Sequence, residues 1–487
     1  MKISLSLPGL LFVLIACSQP VDPLAQEIFA VENGLTKAFV NIDEPIKSFS
    51  IKERMEYYSI PGLSMAVVID GKLRWAKGYG FANTETGTKV DSNTLFQAAS
   101  ISKPIGALAI LKLAEDQKIH LDSNVNKYLS SWKLDENGLT TEHVPSPRLI
   151  LSHNAGISVH GFEGYTSNET IPTIDQVLNG EGNSPRIMVD TEPGIHTRYS
   201  GGGYTVLQKL IEDYAGEAYE TYLQRTILEP LGMLNSTFHQ PLPRDYQLIA
   251  SAAYDGEGKI IDGFWHHYPE KAAAGLWTTP TDLAKYLIEI MEIRNGKDNG
   301  ILSKDMARQM LTDHGGYRGL GPEVTDSDGT LEFGHLGKNA GFTNDMLAGA
   351  DTKNGIIIMT NADNGGKIMS EIQRSVCSYY DIDLEIPDTQ VVEKSVVPIK
   401  DLARLTGRYE FVVPDTGERL NQFMDLRIHK GKLSLLDVSS GDVHTLETLL
   451  NHKFLDFGSG LLINFNLPDS VRGFIIEDWE AKLIRVD

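Results

Sequence analysis

The chain has little cysteine, few basic residues and no long apolar run. Only Cys17 and Cys377 occur in 487 residues, which excludes a disulfide-stapled scaffold and a cysteine-rich zinc module. The apolar stretch from Leu5 to Ile15 is too short to span a bilayer as a stable helix, and no other segment is long and apolar enough. Lys and Arg number 44 against 65 Asp and Glu, a net charge of −21. Such a surface repels phosphate backbones and anionic headgroups, so nucleic acid is not an expected partner. The acidic excess is scattered, as on a solvated surface. Several catalytic signatures are missing too. There is no Gly-x-Ser-x-Gly elbow, which argues against an α/β-hydrolase, and no His-Glu-x-x-His zinc motif. His266 and His267 are adjacent, an awkward arrangement for one metal, and Gly201–Gly203 lacks the spacing and lysine of a phosphate loop. No metal or cofactor is expected. Repeats and low-complexity tracts are absent as well.

What is present begins with a leader. Lys2 precedes the apolar stretch, which reads as an export signal. The stretch ends in Leu14-Ile15-Ala16-Cys17-Ser18, which resembles the bacterial lipoprotein signal; the alternative is an ordinary cleaved signal with an incidental cysteine. The resemblance implies that residues 1–17 comprise the signal and a lipidated Cys17. The protein would then be exported and held at the extracytoplasmic face of a bacterial envelope membrane by its lipid anchor alone. Cys377, in a helix-like Val-Cys-Ser-Tyr-Tyr stretch, reads as a small buried hydrophobe.

A chain this long exceeds one ordinary core. Residues 18–54 read as a tether and leading helix. Leu63–Ile69 and Lys72–Ala76 flank Asp70-Gly71, a favoured hairpin turn. A helix is expected to start near Ser100 and run through Ile105–Ala114. Pro104 marks its first turn, and apolar content all round marks it as buried. Helical periodicity returns at Tyr204–Tyr214, Asp282–Met291 and around Lys367–Tyr380, with a strand at Gly355–Thr360. An antiparallel sheet built from both ends of residues 55–383, with a helical insertion between, gives an α+β domain. Pro387 and Pro398 flank a polar linker, 384–399. Short alternating runs in 400–487 then read as a small all-β barrel or sandwich.

Chemistry is concentrated in three places. In Ser100-Ile101-Ser102-Lys103, Ser and Lys three apart share one helix face. A neutral lysine amine in reach can take the serine proton. The spacing alone is weak, because Ser130-Ser131-Trp132-Lys133 repeats it; that copy runs into a turn and reads as coincidence. Tyr199-Ser-Gly-Gly-Gly203 offers a phenol for proton relay beside backbone that can approach a ligand closely. In Phe333-Gly-His335-Leu-Gly337-Lys338, a glycine lets a backbone amide face the substrate, and His335 is a candidate donor to it.

The order and company of these pieces resemble the serine β-lactamase and penicillin-binding-protein superfamily over about residues 55–380. The likeness is greatest to its class C-like, D-peptidase and esterase branch. Supporting stretches are Pro61-Gly62-Leu63, Leu151-Ser-His-Asn-Ala-Gly156, Pro230-Leu-Gly-Met233 and Ala273-Ala-Gly-Leu276. The resemblance implies a β-lactamase/transpeptidase-like fold, with the C-terminal part similar to lipocalin-like barrels appended to some relatives. It implies a serine hydrolase in which Ser100 is acylated and Lys103 and Tyr199 share base and relay work. The amides of Ser100 and Lys338 would form the oxyanion hole, and Gly201, His335 and Gly337 would line the substrate. Lys103 must then be desolvated or near positive groups, against the acidic net charge. Two departures stand out: Gly201 replaces the usual Asn of the second motif, and His335 the usual Lys of the third. Both point to a small-molecule ester or D-amino-acid-containing peptide less anionic than a β-lactam. Alternatives are a D,D-carboxypeptidase or β-lactamase acting on peptidoglycan-type substrates, and a sensor that is acylated without turnover.

Overall fold

The computed structural model describes residues 22–486 apart from 328, 413–418, 439–442, 458–459, 466–472 and 477–480. The leader and Cys17 lie outside the described residues.

The first domain is built on a seven-stranded antiparallel sheet. Its strands are β1 (Gly62–Ile69), β2 (Lys72–Asn83), β3 (Thr88–Lys89), β4 (Glu323–Ser327), β5 (Thr330–Asn339), β6 (Phe342–Gly349) and β7 (Asn354–Thr360). The order is β3-β2-β1-β7-β6-β5-β4, so the two ends of the domain meet at the β1–β7 pair. Asp70 and Gly71 turn the first hairpin with φ of +53° and +72°, the left-handed geometry this dipeptide supplies at low cost. The apolar run of β7 is continuous because both its faces are buried. Ile357 and Met359 join the core on one face, Ile356 and Ile358 the core on the other.

The first face is covered by the helices Ser102–Glu115, Gly201–Ala215 and Pro280–Arg294. Ser200 and Thr279 cap the last two by accepting from Gly203 and Asp282 amides. The second face is covered by Pro23–Glu32, Ile51–Tyr58 and Gly366–Tyr380. A buried ion pair joins two of these: Arg54 donates to both Glu371 oxygens at 2.6 and 2.7 Å, and the Tyr58 hydroxyl donates to one at 2.9 Å. Cys377 is half-buried against this layer, and burial pushes its thiol up to about 12. None of the helices among the described residues is long and apolar enough to cross a membrane.

A closed eight-stranded antiparallel barrel runs from Gly407–Val412 to Ala481–Arg485, each strand beside its sequence neighbour. The first and last strands close it, with Tyr409 opposite Arg485. Aromatic rings fill its interior: Phe474 lies 4.8 Å from Tyr409 and 5.1 Å from Phe465 between centroids. The segment 384–399 carries a strand, Gln390–Val392, paired in parallel with Phe39–Asn41. Phe39 packs in turn on Leu449, Leu455 and Leu462 of the barrel.

Candidate active site

Ser100 sits in the 3₁₀ turn Ala99–Ile101 that leads into the helix starting at Ser102. Ala99 has φ of +51°, so a residue with a side chain takes left-handed backbone immediately before Ser100. One helical turn on, Lys103 is 2% exposed, with Nζ 3.0 Å from the Ser100 Oγ and 2.9 Å from the Ala273 carbonyl oxygen. Burial, helped by the Arg318 charge and opposed by Glu323, pushes the Lys103 ammonium down to about 7. Local burial thus outweighs the negative charge of the whole chain.

Tyr199 precedes the capped start of the Gly201–Ala215 helix. Its ring stacks on His153 at 4.2 Å, with Lys103 Nζ 4.8 Å and the Arg318 guanidinium carbon 5.3 Å from its centroid. Burial raises the phenol above its ordinary range; its hydrogen bond with Ser100 opposes this without reversing it. The glycines after it are needed for space. A Cβ at Gly202 would stand 2.4 Å from the Ser158 carbonyl oxygen, and one at Gly201 would stand 3.0 Å from that of His160 and 3.1 Å from the Phe162 ring. The room an asparagine would need at 201 is therefore held by His160 and Phe162.

On β5, a Cβ at Gly337 would come within 2.2 Å of the Ala98 carbonyl oxygen, so only glycine lets this strand lie against the serine turn. His335 is 4% exposed, and its Nδ1 is 2.5 Å from the Leu336 carbonyl oxygen. A carbonyl only accepts, so Nδ1 carries the proton and Nε2 of the neutral ring is an acceptor, 3.5 Å from the Tyr199 hydroxyl. This corrects the expectation of a donor: the ring spends its proton on the backbone. Burial, opposed by Glu323, brings His335 down to about 4.

Ser100, Lys103, Tyr199, Gly201, His335, Gly337 and Lys338 all line one cavity of about 650 Å³. The second Ser-x-x-Lys copy lies elsewhere. Ser131 donates to Asp213, and Lys133 Nζ to the carbonyls of Asn126 and Leu129.

The cavity also holds residues no motif announced. Arg318 pairs with Glu323. Burial alone would raise that carboxyl, but His335, Arg318 and Lys103 hold it below the usual carboxylate range. His160 lines the cavity, and His153 lies behind Tyr199, accepting the Ser200 amide at Nδ1 at 3.0 Å. Burial, then the charges of Lys103 and Arg318, lower both histidines. His153 belongs to the Leu151–Gly156 stretch, whose composition alone gave no chemical signal.

The Beta-lactamase family model matches residues 50–375. The chain is 28% identical over 237 residues to the teichoic acid D-alanine hydrolase of Staphylococcus aureus, covering 47% of this chain and 54% of that protein. For the protein of strain MRSA252 the identity is 26% over the same length. The chain thus spans about half the length of the curated relatives it matches. Among solved structures, the octameric penicillin-binding protein homologue from Pyrococcus abyssi superposes with a TM-score of 0.60 at 23% identity, over 89% of this chain and 98% of that one. SurE superposes with a TM-score of 0.58 at 19% identity, over 89% and 97%. These structural likenesses establish the fold.

Proposed function

Since the chain belongs to the Beta-lactamase family, we propose that it hydrolyses an ester or amide through an acyl-enzyme on Ser100. The observation that carries this reading is the Lys103 Nζ, 3.0 Å from the Ser100 Oγ and with its ammonium pushed down to about 7. A substantial fraction of the amine is then neutral at neutral pH and can take the serine proton. Ser100 Oγ attacks the carbonyl carbon, and the backbone amides of Ser100 and Lys338 donate to the developing oxyanion. Tyr199, kept protonated by burial, gives its proton to the departing alkoxide or amine and regains one from Lys103. Water then releases the acyl group from Ser100 by the reverse relay.

The substrate is an ester or peptide without a carboxylate next to the scissile bond. His335 is neutral at pH 7 and Arg318 is engaged by Glu323, so neither supplies the free cation that an anionic substrate needs. The name of the Staphylococcus aureus relatives adds D-alanyl esters as the first class to try. A lipid on Cys17 would hold the hydrolase at the extracytoplasmic face of an envelope membrane.

The test is release kinetics on p-nitrophenyl esters, D-alanyl esters, D-Ala-D-Ala peptides and nitrocefin. Sustained turnover of esters, faster than of nitrocefin, is expected. A single stoichiometric burst on every substrate would instead identify an acyl trap.

A further inference from the structure

The segment 158–160 lies across the start of the Gly201–Ala215 helix and satisfies its first donors. The Ser158 carbonyl oxygen accepts from the Ser200 hydroxyl at 3.0 Å. That of Val159 accepts from the Gly202 amide at 3.0 Å, and that of His160 from the Gly201 amide at 2.9 Å. Consecutive carbonyls are thus turned toward one helix end, and Val159 carries the strain. Its φ is +67°, left-handed backbone that a β-branched residue adopts only at a cost. The next residue is His160, whose ring lies 5.0 Å from the Tyr199 ring between centroids. His160 lines the cavity that holds Ser100 and is exposed there.

Other titratable groups around Ser100 have partners within the protein. Lys103 donates to Ser100 and Ala273, His335 to the Leu336 carbonyl, and Arg318 to Glu323. His160 differs: among the described residues, neither of its ring nitrogens has a hydrogen-bond or ion-pair partner. Loss of bulk water in the cavity, then the charges of Lys103 and Arg318, hold the imidazole below its ordinary range. The ring is therefore neutral at pH 7, with one nitrogen a donor and the other an acceptor. A fixed backbone thus presents an unengaged donor and acceptor beside the nucleophile.

We propose that His160 contacts the substrate directly, hydrogen-bonding a neutral amide or hydroxyl close to the scissile bond. A neutral ring recognises its partner by hydrogen bonds rather than by charge. Its place beside Tyr199, whose phenol is bonded to Ser100, sets the recognised group near the reacting carbonyl. The residue selects esters or amides that carry such a group over their hydrocarbon counterparts. This rests on the hydrolase reading above and narrows its substrate class.

The test uses the full chain and two matched ester series, with the variable group on the acyl part in one and on the alcohol part in the other. The variable group is an acetamide, a hydroxyl or a methyl. In one series the acetamide or the hydroxyl ester is expected to exceed the methyl ester in kcat/KM by about tenfold. His160→Phe keeps a ring without its nitrogens and is expected to erase most of that ratio. His160→Gln keeps a donor and an acceptor and is expected to retain part of it. No polar preference in either series, a preference that His160→Phe keeps, or one that both variants lose overturns the contact. If no ester is turned over, the hydrolase reading fails separately. Calorimetric binding of the same esters to Ser100→Ala, with and without His160→Phe, still decides the contact.

Discussion

Lys103 has a usable amine because of where it sits: burial removes the water that would stabilise its charge, and Arg318 adds repulsion. With a neutral base required, kcat/KM should rise with pH through about 7. Arg318→Gln removes a positive neighbour that holds the ammonium down and frees the Glu323 carboxylate, which pushes it up. Both effects raise the Lys103 value, so the acid limb of the pH profile should move to higher pH. A limb that stays in place or moves lower would exclude Lys103 as the titrating base. At this scale the sequence revealed the residues that sit in short motifs: Ser100 with Lys103, Tyr199 before its glycines, His335 before Gly337. It concealed those joined only by folding. Arg318 reaches Tyr199 across 119 positions (318 − 199), and His160 reaches it across 39 (199 − 160).

Elements meet at the site through missing side chains. β5 touches the serine turn only because Gly337 has no Cβ, and the Gly201–Ala215 helix abuts the 158–160 segment only because of its glycines. Gly337→Ala should force the strand and the turn apart, with a loss in kcat of about 10²-fold, the scale of a displaced oxyanion donor. Steady-state kinetics beside an unchanged circular dichroism spectrum would check this; kcat within twofold of the parent would show that the contact is not needed. The helix after Ser100, the first hairpin and the β7 strand were readable from periodicity and turn chemistry. The parallel pairing of Phe39–Asn41 with Gln390–Val392 was not. Such short strands carry no period, and their partners are some 350 positions apart (390 − 39 = 351).

Across the whole molecule, the hydrolase domain and the barrel are joined through that pairing and through Phe39 on Leu449, Leu455 and Leu462. Aromatic side chains occupy the barrel interior, and no described residue of 400–487 lines the catalytic cavity. Phe39→Ala is expected to cost about 3 kcal/mol, lowering the barrel transition in calorimetry while kcat on esters holds; an equal loss of kcat would mean that the barrel supports the site. The alternation of short runs announced an all-β unit, whereas closure of the barrel depends on its first and last strands meeting, which no local pattern records. The central claim, an acyl-enzyme on Ser100 with Lys103 as base, is tested most directly by a fluorophosphonate probe followed by peptide mapping. Label is predicted on Ser100 alone, strongly reduced in Lys103→Ala and absent in Ser100→Ala. Label on another residue, or label retained by Ser100→Ala, would contradict it.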